Sequence, residues 1–316
     1  MNLDATPWHP RNWLMALLLQ SLKGCHLLLP YRLKLSLCRG LGRGLYHCAR
    51  RRRHIVDVNA RLCFPALDDA ERQAFVRQNF EDWGVSLLEM AMGWWGRAEP
   101  ALASLEVRGE EHFRDALDAG NGVILLGAHF TSIDLGSTLF RRHFGAAIPV
   151  HVVHRLQNNQ WLNAVMTNGR LRNVSSVVSK DDMRAILRLV RGREVIWYAA
   201  DQDFGLTNSV FAPFFNHPAA TLTATARLAG VKGAPVVMMG HYRQQTRDDD
   251  GRWQTRYVLE FFAPLVDFPS GDAVQDATAV NQIIATAIER APTQYMWLHR
   301  RFKNQPDLPL NALYRR

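Results

Sequence analysis

The most informative segment of this 316-residue chain is Gly122-Val123-Ile124-Leu125-Leu126-Gly127-Ala128-His129-Phe130-Thr131-Ser132-Ile133-Asp134. Its first half is an unbroken apolar run, as expected of a strand buried on both sides in a parallel sheet. Thr131 and Ser132 carry side chains that cap helices, so a helix follows from about residue 132 with Asp134 in its first turn. Ligands of α/β sheets sit beyond the carboxyl ends of the strands, and His129 falls there. A carboxylate that accepts from one ring nitrogen fixes the tautomer and raises the basicity of the other. His129 and Asp134 thus have the parts of a general base, although His-x4-Asp alone equally fits a structural histidine beside a helix-capping acid.

The sequence alternates in the same manner on both sides. Apolar runs at 148–153, 195–200, 235–240 and 257–262 are separated by helical patterns from 157, over 181–190, near 219–229 and over 273–290, and a helix is expected near 110–119. Short β-rich runs alternating with helices predict an α/β fold whose mixed, largely parallel sheet is flanked by helices. Residues 68–95 read as one long helix or two joined ones, rich in aromatics, and 247–251 as a hairpin turn.

Ten of the 38 Lys and Arg residues lie between Ala5 and Val56, where none of the 29 Asp and Glu residues occurs, so this stretch carries the whole excess of +9. The apolar run 13–29 is near the lower length limit of a membrane span, and Lys23 inside it costs about 3 kcal/mol at the centre of one. An interfacial anchor is therefore at least as good a reading as a span. After Pro30, Arg32, Arg39, Arg43 and Arg50 stack on one helical face, while Leu33, Leu37, Leu41 and Leu45 form a separate stripe. A basic amphipathic helix of this kind holds to an anionic leaflet at roughly 1 kcal/mol per cation. A solvated charge run on an ordinary core helix is the plainer alternative. Residues 1–56 are accordingly assigned to a hydrophobic and basic membrane-anchoring segment, and 57–316 to one α/β domain. Gln20 and Lys23 interrupt the apolar run and no A-x-A site follows, which argues against export. Cys25, Cys38, Cys48 and Cys63 lack CxxC spacing, so four free thiols are expected.

Two further clusters follow strands. Asp201-Gln202-Asp203 places two acids at the functional edge of the sheet, where they fit a substrate site, a turn or, with His129, a metal. His154-Arg155-Leu156-Gln157-Asn158-Asn159 and Gly169-Arg170-Leu171-Arg172 offer arginines that clamp phosphate or steady an oxyanion, or that merely form surface ion pairs.

Taken together, these blocks resemble the lipid A late acyltransferases, and their lauroyl-type branch more than the myristoyl-type one. The resemblance runs from about Trp8 to Tyr314 and includes Leu29-Pro30-Tyr31, Asn59, Cys63-Phe64-Pro65, residues 127–136, Arg155 with Asn158 and Asn159, Gly169-Arg170-Leu171-Arg172 and Asp201-Gln202-Asp203. It continues through Ser209-Val210-Phe211-Ala212-Pro213-Phe214-Phe215 and Gln294-Tyr295-Met296-Trp297-Leu298-His299-Arg300-Arg301-Phe302-Lys303. The family usually has Glu where this chain has Asp134; the shorter side chain changes reach but keeps the charge.

The resemblance implies an acyltransferase domain over 57–316 with a glycerolipid acyltransferase-like fold, held at the cytoplasmic face of the inner membrane of a Gram-negative bacterium. It implies acyl carrier protein as donor, a phosphorylated lipid A precursor as acceptor and the anionic membrane as partner, with no nucleic acid, cofactor or metal. His129 would deprotonate a hydroxyl on a 3-hydroxyacyl chain for direct attack on the thioester, with Asp134 orienting it and Arg170 assisting at the oxyanion or a phosphate. Arg155, Asn158, Asp201 and Asp203 would contact substrate. Alternatives are an acyltransferase of the same superfamily acting on a lysophospholipid, ornithine lipid or glycolipid, a metal hydrolase, and a non-catalytic membrane or nucleic-acid binder.

Overall fold

The computed structural model of the chain describes residues 6–7, 9–247 and 253–315. Helices α1 (Trp13–Leu28), α2 (Tyr31–Cys48) and α3 (Arg50–Cys63) precede a long α4 (Asp69–Trp95) and a short α5 (Glu99–Ala103). Pro30, which cannot continue α1, is the N-cap of α2. A capping box between Asp68 and Glu71 starts α4, which is one helix of 27 residues. Backbone touches backbone where α2 crosses α4. A Cβ on Gly84 would stand 2.1 Å from the Cys38 carbonyl oxygen, and one on Gly42 2.3 Å from that of Phe80.

Leu33, Leu37, Leu41 and Leu45 face away from that contact and remain 45–53% exposed, so they are not a core stripe. α1 is tied to the body at both ends. Asn159 Nδ2 donates to Asn12 Oδ1 at 2.7 Å, and His26 Nε2 lies 2.8 Å from the Gly96 carbonyl oxygen. Between these ties Leu14, Leu17 and Leu18 are exposed. No described helix is long and apolar enough to cross a membrane. Position 56 lies within α3, whose Ile55, Val56 and Val58 are buried in the main core. The four cysteines are free thiols.

The α/β body follows as β1 (Leu105–Arg108), α6 (Glu110–Asp118), β2 (Val123–Gly127), α7 (Ile133–Phe144), β3 (Val150–His154), α8 (Gln160–Arg170), β4 (Ser176–Ser179), α9 (Met183–Arg191) and β5 (Val195–Ala199). Next come β6 (Ser209–Phe214), β7 (His217–Leu222), α10 (Ala224–Gly230), β8 (Val236–Arg247), β9 (Trp253–Phe261) and α11 (Ala273–Glu289). Seven strands form one sheet in the order β1-β9-β8-β2-β5-β3-β4, parallel throughout except for the β8–β9 pair. The turn expected at 247–251 lies, from residue 248 on, outside the described residues. The strands beside it pair antiparallel, with Arg247 opposite Trp253.

The unbroken apolar character of β2 has its cause in burial on both faces. Ile124 and Leu126 join a core with α3, α9, α10 and α11, whereas Val123 and Leu125 join another with Phe113 of α6 and Phe140 of α7. The helix expected near 219–229 begins instead as β7, the partner of β6 in a separate two-stranded hairpin. Ala219, Ala220 and Thr221 are small because α11 packs on them, with Asn281 Nδ2 donating to Thr221 Oγ1 at 2.9 Å; their helix propensity is overridden by that contact. The short edge strands β1 and β4 also lay below what periodicity reveals.

Candidate active site

Four adjacent parallel strands end on the same side of the sheet, and each delivers a residue there. His129 follows β2, Asp201 follows β5, Arg155 follows β3 and Lys180 follows β4. The register fixes the first pair. Gly127 stands opposite Ala199, so two residues further on His129 stands opposite Asp201. The Asp201 carboxylate then holds His129 twice: Oδ1 lies 2.6 Å from the ring Nδ1, and Oδ2 accepts from the backbone N–H at 2.9 Å.

Asp201 is fully buried, whereas the His129 side chain is 25% exposed. Burial alone would raise the Asp201 carboxyl, but the charge and two hydrogen bonds of His129 outweigh it and hold that carboxyl down to about 2. With Nδ1 engaged as donor, Nε2 is the ring nitrogen left to act as base.

This arrangement corrects the reading of Asp134, which was expected to reach back to the imidazole. Asp134 Oδ1 accepts instead from Arg170 Nε at 2.7 Å, and Arg170 Nη1 lies 3.3 Å from His154 Nδ1. The first turn of α7 is pressed onto α4, since a Cβ on Gly93 would come 2.6 Å from the Asp134 carbonyl oxygen. Asp134 thereby points along the wall toward α8. Asp203, expected near substrate, is buried against the C-terminal tail: its carboxylate accepts from the Asn304 side chain at 2.8 Å and from the Gly205 backbone at 2.8 Å. Among the described residues no group of three or more His, Cys, Asp or Glu side chains converges on a common point.

His129 opens into a cavity of about 820 Å³ whose lining is mainly apolar. Ile133, Val152, Val153, Met183, Ile186, Leu187, Trp197, Leu228 and Val231 are among its apolar residues. Its polar groups include Asp134, Arg170, Arg155, Gln202 and Lys180. Asn158 is exposed and lies outside the lining. The apolar wall from α9 and α10 and the inward Gln202 were not singled out from the sequence, although the spacing of Met183, Ile186 and Leu187 on α9 is that of one helix face.

The His129 loop is held from behind. The C-terminal tail pairs with it, as Met296 N–H donates to the His129 carbonyl at 3.0 Å and Thr131 N–H to that of Gln294 at 2.8 Å. The Gln294 amide brackets the Arg243 backbone by accepting from its N–H and donating to its carbonyl, both at 2.8 Å. Buried Arg243 in turn bridges Asp82 at 2.9 Å and Glu89, two acids on α4. His241 packs beneath the loop with Ser132 Oγ 3.0 Å from its Nδ1; burial, and then the charge of His129, push it down to about 3, so it stays neutral.

A profile of bacterial lipid A biosynthesis acyltransferases matches residues 3–304 of this chain. The chain belongs to that family. Its members are named acyltransferases, and this lipid A biosynthesis acyltransferase homologue is an acyltransferase. It is 37% identical to the lipid A biosynthesis lauroyltransferase of Escherichia coli K12, over 95% of its own length and 94% of that protein. It is 33% identical to the palmitoleoyltransferase of the same organism, over 94% of each chain, and 25% identical to the myristoyltransferase over 94% of this chain and 89% of that one. The acyltransferase is thus similar to the lauroyl-type relative above the myristoyl-type one.

Proposed function

We propose that this enzyme moves a fatty acyl chain from an acyl carrier protein thioester to a hydroxyl of a 3-hydroxyacyl chain on a phosphorylated lipid A precursor. The observation that carries the reading is His129, held by a buried carboxylate in the wall of a mainly apolar cavity. Its Nε2 takes the proton of the acceptor hydroxyl, and the alkoxide oxygen forms a bond to the thioester carbon. Collapse of the tetrahedral oxyanion breaks the C–S bond, and the departing thiolate takes its proton from the imidazolium. Asp201 stabilises that imidazolium, and no acyl-enzyme is required. Arg170, steadied by Asp134, and Arg155 at the mouth are assigned to the oxyanion and the lipid phosphate. Asp134 is then a positioning residue for Arg170.

The exposed leucines of α1 and α2 and the acid-free basic stretch support a seat on the cytoplasmic face of the inner membrane, with the helices lying in the interface. Purified enzyme, offered acyl carrier protein thioesters of graded length and a defined lipid A precursor, is expected to add one acyl group. His129→Ala should keep the fold and lose roughly two to four orders of magnitude in turnover. Wild-type turnover in that variant would end the base assignment. Unchanged lipid A, by mass spectrometry of cells lacking the protein, would move the acceptor to an ornithine lipid, a glycolipid or a lysophospholipid.

A further inference from the structure

Among the described residues, the large apolar side chains left in water fall into distinct groups. One covers α1 and α2. A second, Leu156, Leu171, Met183, Phe204 and Leu206, comes from four separate segments and is 40–59% exposed. Met183 and Phe204 line the cavity, and the other three stand within two residues of lining positions, so this group rings the cavity mouth. Cations are interleaved with it. The side chains of Arg155, Arg172 and Arg184 are exposed and have no ion-pair or hydrogen-bond partner among the described residues, and Lys180 Nζ lies 5.7 Å from the centroid of the Phe204 ring. The two acids of the rim are already used: Asp181 pairs with Lys180, and Asp182 caps α9.

We propose that the rim of the cavity is itself a membrane-docking surface, seated on an anionic lipid leaflet so that the acceptor lipid reaches His129 without crossing water. Apolar side chains mixed with unpaired cations match a leaflet of acyl chains beneath anionic headgroups, which takes both at once. The rim also adjoins the first group, because Asn159, three residues after Leu156, holds Asn12 at the root of α1. An acidic protein would satisfy the arginines but leave that run of leucines in water. The proposal rests on the cavity being the site of a lipid-modifying reaction, yet its test does not pass through catalysis.

The test is amide hydrogen exchange of the full chain with vesicles rich in phosphatidylglycerol, with vesicles of phosphatidylcholine alone, and with acyl carrier protein. With the anionic vesicles, residues 155–158 and 203–207 should exchange roughly tenfold more slowly, together with α1. In the double variant Leu156→Asp/Leu206→Asp that slowing should vanish at the rim, persist on α1 and leave core amides unchanged. Slowing confined to α1 and α2 in the wild-type chain, or seen at the rim with the carrier protein but not with vesicles, overturns the proposal. Slowing at the rim in a chain that fails to acylate lipid A would keep the docking surface and discard only the acceptor assignment.

Discussion

Asp201 holds the imidazole of His129 while Asp134 holds the guanidinium of Arg170, and these hydrogen bonds separate the duties of the two acids. Asp201→Asn removes the carboxylate that fixes the tautomer and steadies the imidazolium, so turnover should fall by roughly two to four orders of magnitude. Asp134→Asn frees Arg170 and should show a smaller loss, about tenfold and mainly in KM for a phosphorylated acceptor. Steady-state kinetics of the two variants check the order; a larger kcat defect in Asp134→Asn would reverse the roles. Asp201 also links stability to pH. Its folded carboxyl ionises at about 2 against an ordinary 3.8, so its contribution is complete above about pH 4 and is lost as pH falls through 2, a loss that acid titration should find diminished in Asp201→Asn. Arg243→Met strands Asp82 and Glu89 in the interior and should cost about 3–5 kcal/mol by denaturant unfolding. Arg155→Ala, at an exposed and unpaired side chain, should stay within about 0.5 kcal/mol of wild type.

At the scale of elements, the joint between α2 and α4 is the contact most sensitive to a single atom. Gly84→Ala puts a methyl into the Cys38 carbonyl oxygen, and since backbone cannot step aside, a loss of about 1–3 kcal/mol in thermal unfolding is expected. The strands show what a sequence discloses and what it withholds. The run 123–126 announced a strand buried on both faces and placed His129 at its end, because that pattern is local. That β2 pairs with β5, although β3 and β4 intervene in the chain, is a matter of topology, and it alone brings Asp201 to His129. Asp134 was the natural candidate from spacing, since five residues of sequence separate it from the imidazole. Its true direction is set by α4 pressing on the first turn of α7, a contact between residues some forty apart in the chain. The hairpin of β6 and β7 was hidden for a similar reason: alanines chosen to fit under α11 read as helix.

For the whole molecule, the proposed acyl transfer puts chain-length selection in the cavity. Lauroyl and palmitoleoyl relatives are almost equally similar to this chain, so overall identity does not choose between donors. Leu187→Trp fills part of the apolar wall and should shift the preferred donor to a shorter acyl chain, read from competition among thioesters of graded length; an unchanged preference would place the acyl chain elsewhere. The basic and leucine-rich start of the chain was legible as a surface helix. The apolar rim was not, because its members come from loops and helix ends that only the fold gathers.

The C-terminal tail carries a consequence for how this protein tolerates damage to its gene. Met296 and Gln294 stitch the loop of His129, Asn304 holds Asp203, Asn59 bonds the carbonyls of Trp297 and His299, and buried Tyr314 donates to Asn59 at 2.6 Å. A stop codon just after α11 would spare His129, Asp201, Arg170 and all but one residue of the cavity wall, yet remove the clasp that keeps the imidazole in place. Late nonsense alleles should therefore behave as nulls.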